Sequence, residues 1–200
     1  MKRQLLLAGA LAVSLATAAS AQEDRRGAGM LPPEIASQFE PAFLAGFGER
    51  PLWPPQARRG YHSRFRLIIT GILYTKASIR IDESGSGRFD GYLVFVDRRD
   101  RSVPYGRRET RFPVSRAQMA RLRAAIEAAH MFTLYPEFWQ SRNANEICVD
   151  GMELIFERVD AVGYRFSTAN AQCNASAAMR DVALILFEIA RAPELRQWLR

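Results

Sequence analysis

From Phe65 to Thr168 apolar residues repeatedly fall at every second position, and that period commits most of the chain to a sheet. Phe65, Leu67 and Ile69 alternate with Arg66 and Ile68, and Ala77, Ile79 and Ile81 alternate with Ser78, Arg80 and Asp82. Glu83-Ser84-Gly85-Ser86-Gly87 reads as a turn before a third strand, Phe89 to Val96. That strand is apolar on both faces, which suits a position inside a sheet. A polar loop is expected over 97–108, followed by a fourth strand, Glu109 to Val114, which Pro113 confines to an edge or to its own end. Met152, Leu154 and Phe156 alternate with Glu153, Ile155 and Glu157; after a turn at Asp160 to Gly163, Tyr164 to Thr168 returns.

The period changes twice. Met119, Leu122, Ile126 and Ala129 form one helical stripe. Ser115 and Gln118 fit a capping box, with Val114 and Met119 as the hydrophobic staple, and the helix should end near His130. Met179, Val182, Leu186 and Ile189 mark a second helix, capped by Asn174 or Ser176. Pro193 then opens a short terminal helix carrying Leu195, Trp198 and Leu199. The order is strands, helix, hairpin, helix, without internal repeats. It implies an α+β fold: an antiparallel sheet of about five to six strands with two main helices packed on one face.

The N-terminal region is read differently. Residues 1–21 look like a signal peptide: Met1-Lys2-Arg3, an apolar Leu/Ala stretch, and a small-x-small cleavage site ending at Ala21. The mature chain of 179 residues would then begin at Gln22 and be periplasmic or secreted, with no transmembrane segment. Six of the ten prolines fall between 22 and 60, so this stretch is expected to be an arm with little regular structure. One short helix could run from Pro33 to Phe47, with Phe39, Phe43, Phe47 and Trp53 packed on the domain formed by 61–200.

Export makes the two cysteines, Cys148 and Cys173, a candidate disulfide that brackets the second hairpin. The loop it closes, of about 25 residues, would contribute roughly 3–4 kcal/mol. A catalytic thiolate partnered by His62 or His130 is the weaker reading, because no protease signature surrounds either cysteine.

Other catalytic signatures fail on spacing. Asp82 to Gly87 resembles the start of a calcium loop, but its twelfth position is Leu93, where a bidentate carboxylate is required. Gly85, Gly87 and Gly91 precede a strand instead of a helix, contrary to a dinucleotide fingerprint. The two histidines lie outside recognised zinc spacing, and the nucleophile-elbow motif is missing, so no metal or cofactor is expected. Glu146, Asp150, Glu153 and Glu157 cluster in sequence, and a solvated sheet face accounts for them more simply than a cleft.

Charge gives the main functional signal. The net charge is +7, and +5 without Lys2 and Arg3. Arg98, Arg99, Arg101, Arg107, Arg108 and Arg111 crowd one short segment, suited to binding phosphates or carboxylates. The leading expectation is a non-enzymatic binding or accessory protein of the cell envelope with an anionic component or protein as partner, and not nucleic acid. The alternatives are an envelope hydrolase built on Asp150 and Glu153, and a structural or inhibitory protein acting through its N-terminal arm. Oligomeric state is not legible.

Overall fold

A computed structural model describes residues 41–71, 75–97, 106–132 and 151–199. Its centre is a six-stranded antiparallel sheet: β1 (Ser63–Gly71), β2 (Thr75–Glu83), β3 (Phe89–Asp97), β4 (Gly106–Val114), β5 (Met152–Asp160) and β6 (Gly163–Asn170), in the order β4-β3-β2-β1-β5-β6. The first four strands form a meander, and β5 then pairs with the free side of β1. The first strand therefore lies inside the sheet. Its five consecutive buried residues, Phe65 to Ile69, follow from that position, with both faces covered.

Helices α2 (Arg116–Ala128) and α3 (Ala177–Ile189) pack on one face. Leu67, Ile79, Leu93 and Phe156 meet Leu122, Ile126, Val182 and Leu186 there in a single apolar cluster. Ser115 accepts from the Gln118 amide while the Gln118 side chain accepts from the Ser115 amide, completing the capping box. Ser176, rather than Asn174, caps α3. Both helices end in the same way, with a non-glycine residue at positive φ: His130 (48°) after α2 and Arg191 (55°) after α3. The bonds Met131 N–H to Ile126 O and Ala192 N–H to Phe187 O close the two Schellman motifs. The terminal 3₁₀ helix Pro193–Leu199 buries Leu195 and Trp198.

The other face of the sheet is covered by the segment before β1. One helical turn, α1 (Pro41–Ala45), leads into Gly48 at φ 67°. Bonds from Gly48 N–H to Ala45 O and from Glu49 N–H to Leu44 O complete a third Schellman closure, here with the glycine that the positive φ favours. Leu44, Phe47 and Leu52 then bury against Ile68, Val94, Val96, Ile155 and Val159.

Three expectations require correction. Strand β4 starts at Gly106 and not at Glu109, because Arg107 and Arg108 continue the ladder opposite Val96 and Phe95. Trp53, expected to be buried, is 36% exposed. The face bearing Glu157 is not solvated, since the 41–52 segment covers it and Glu157 is fully buried. Among the described residues no helix is long and apolar enough to cross a membrane.

Candidate functional site

The covered face carries an arginine–carboxylate network. Alternation along β1 points Phe65, Leu67 and Ile69 toward the helices, which leaves Arg64, Arg66 and Ile68 on the opposite side. The register places Arg66 beside Arg80 of β2 and Glu157 of β5. Arg66 is 0% exposed and its Nε donates to Glu157 Oε2 at 2.5 Å. The other oxygen of Glu157 accepts from the Tyr164 hydroxyl at 2.9 Å. Burial of both charges is tolerable only because each is paired and hydrogen-bonded.

Glu49 ties the covering segment into this network. Its Oε2 accepts from Arg66 Nη1 at 3.2 Å and from Arg80 Nη1 at 2.5 Å. Arg66 Nη1 also donates to the Arg50 carbonyl at 2.9 Å. Asp82 then links Arg80 to Arg64, accepting from Arg64 Nε at 2.9 Å and from Arg80 Nε at 3.2 Å. Three buried polar atoms on this face, Arg66 Nη2, Ser78 Oγ and Thr168 Oγ1, have no hydrogen-bond partner among the described residues.

These contacts set the protonation states. Burial opposes the charge on Arg66, but Glu157 and Glu49 outweigh it and hold its pKa above the usual arginine range. Arg80 behaves likewise: burial opposes its charge, and Glu49 and Asp82 prevail. Asp82 is pushed up by burial, which exceeds the opposing pull of Arg80 and Arg64. The Tyr164 hydroxyl is driven well above its normal value by burial and by the neighbouring Glu157. Arginine charge is thus secured, and Tyr164 remains a donor.

The described residues include three of the six arginines of the 98–111 segment. Arg98, Arg99 and Arg101 lie outside the described residues, as do Glu146, Cys148 and Asp150. Arg107, Arg108 and Arg111 lie on exposed edge strand β4, but they do not share one face. Arg107 and Arg111 point to the network side; Arg108 points to the helix side. Arg107 pairs with Glu109 and donates to the Phe47 carbonyl, helping to hold the covering segment. Arg108 pairs with Glu194 at 2.9 Å. Arg111 meets no carboxylate among the described residues, and its guanidinium lies 5.4 Å from the Tyr92 ring centroid. Arg80 lies over the same ring at 4.4 Å, so Tyr92 connects the edge strand to the buried network.

The remaining candidates have other partners. Asp82, first residue of the apparent calcium loop, is committed to Arg64 and Arg80. Cys173, in the turn after β6, is not a free thiol. Among the described residues no group of three or more His, Cys, Asp or Glu side chains is placed to hold a metal ion.

Sequence reading missed Glu49, Arg66, Arg80 and Tyr164 as a unit. A signal was present: Arg66 and Glu157 are opposite charges, each followed or preceded two positions away by an isoleucine on the same strand face. No family model, curated protein or solved structure matches this chain.

Proposed function

We propose that the protein is an exported, non-enzymatic binding module of the cell envelope, with the arginine-bearing β4 edge as its contact surface for an anionic partner. The supporting observation is Arg111, exposed, without a carboxylate among the described residues, and set against Tyr92 beside Arg80. Guanidinium held over an aromatic face is oriented at little entropic cost and keeps its donors for a carboxylate or phosphate. Arg107 and Arg108 contribute less, because their existing carboxylate pairs must exchange first. The segment from Arg98 to Arg101 extends the same cationic stretch in sequence.

The export assignment rests on residues 1–21, and the Cys148–Cys173 disulfide is part of this reading. Thiol titration of the unfolded, unreduced protein should find none. Two free thiols would remove the disulfide.

The binding test is crosslinking of the mature chain to isolated envelope at low and high salt. A stoichiometric adduct at low salt should disappear at high salt, because exposed charges are screened. It should also weaken with Arg111→Glu. An adduct that persists through both changes would overturn the arginine-edge reading.

A further inference from the structure

The sheet face under residues 41–52 carries unbalanced charge of its own. Among the described residues the only strand carboxylates paired with Arg64, Arg66 and Arg80 are Asp82 and Glu157, leaving one positive charge in excess within this network. The balancing carboxylate comes from outside the sheet, from Glu49. Its Oε2 sits between two guanidinium groups from adjacent strands, the arrangement expected of a bound carboxylate ligand. Its donors are not exhausted, since buried Arg66 Nη2 still lacks an acceptor among the described residues.

We infer that Arg66 and Arg80 form a carboxylate-binding site on the sheet that Glu49 fills in cis, making residues 41–52 a releasable strap that an acidic side chain of a partner protein displaces. The strap has the form such a ligand needs. Gly48 and Glu49 form its Schellman turn, which presents the carboxylate, while Leu44, Phe47 and Leu52 provide apolar anchors on either side. Among the described residues the strap's further polar contacts with the sheet include Arg50 O on Arg66, Phe47 O on Arg107, and Lys76 5.1 Å from the Phe43 ring centroid. Releasing it requires another anion, because an arginine left buried without a counter-charge is unfavourable. The inference does not use Arg111; it shares Arg107 with the β4 surface, through Phe47 O, but the two readings are tested at different residues, Glu49 here and Arg111 there.

The test is chemical rescue in the full mature chain. Glu49→Ala removes the tethered carboxylate and leaves space between Arg66 and Arg80. Its melting temperature should fall, and acetate should restore it relative to chloride at equal ionic strength. A site of about 10 mM affinity predicts a rise of roughly 3–5 °C at about 100 mM acetate. The wild-type protein, with its site filled, should show no acetate-specific rise. Equal effects of acetate and chloride on folded Glu49→Ala would overturn the inference. Glu49→Gln keeps the shape if the alanine variant fails to fold. In that variant, amide exchange at Phe47, Gly48 and Glu49 should accelerate about 10-fold or more, and an unchanged rate would also overturn it. Displacement is read on the wild type with a tetraglutamate peptide. Faster exchange at those three amides than in sulfate of equal ionic strength supports it, and no difference removes the partner-displacement step.

Discussion

Removing Arg66 tests whether the buried network is held by pairing or merely tolerated. Arg66→Met approximates the side-chain volume and deletes the charge. Glu157 is then fully buried with the Tyr164 hydroxyl as its one remaining direct partner among the described residues, and its counter-charge at 2.5 Å is gone. Breaking one side of such a pair costs about 3–5 kcal/mol. For a chain of this size, each kcal/mol moves the melting temperature by about 2–4 °C, so a fall of roughly 6–20 °C is expected. The triple variant Arg66→Met, Glu157→Leu, Tyr164→Phe removes both charges and the hydroxyl they leave behind. Arg64 and Arg80 then balance Asp82 and Glu49, and the new apolar groups join Ile68, Ile155 and Val159. The triple variant should recover to within about 2 kcal/mol of wild type. Urea unfolding followed by tryptophan fluorescence measures both, with an unchanged m-value as the check on two-state behaviour. A loss below about 1 kcal/mol in Arg66→Met, or a triple variant no better than the single one, would refute the reasoning.

Three other outcomes are expected. Leu186→Ala, at a fully buried position between α3 and the sheet, should cost about 2–5 kcal/mol in urea unfolding. Arg191→Gly should raise stability by about 1 kcal/mol, because Arg191 occupies a left-handed position at φ 55° where glycine bears no Cβ penalty; a loss would indicate that its side chain has a role of its own. Glu83 is held below the ordinary carboxylate range: burial pushes it up, but the bonds from Ser63 and Arg123 prevail. Its contribution is therefore present above the unfolded value of about 4.3 and is lost as pH falls through the lower folded value. The melting-temperature gap between wild type and Glu83→Gln should be full above about pH 5 and close toward pH 3.

What was legible in the sequence followed periodicity. Period two in β1, β2, β3 and the β5–β6 hairpin identified those strands, and Ser115 with Gln118 marked the start of α2 before any packing was known. Such patterns are local, since each records which side of one element meets a core. The extension of β4 through Arg107 and Arg108 was not local. Those residues are polar, and only the ladder to Phe95 and Val96 makes them strand. The end of α2 near His130 was legible, although His130 and Arg191 occupy left-handed positions where glycine is the usual signal.

The network was hidden for a further reason. A solvated face and a face covered by a strap both read as charges at alternate positions. Arg66, Arg80, Asp82 and Glu157 fit either reading until something is known to lie above them. The residue that decides between the two is Glu49, 17 positions before Arg66 in a segment that reads as an arm. Its importance rests on charge parity across three separate stretches of chain, a property that no window of sequence contains. Apolar residues alone would have let the strap slide, because dispersion and burial are nondirectional. A carboxylate bridging two guanidinium groups fixes register, and it does so with a contact that another carboxylate can replace. The same geometry that positions the strap therefore specifies the chemistry able to remove it.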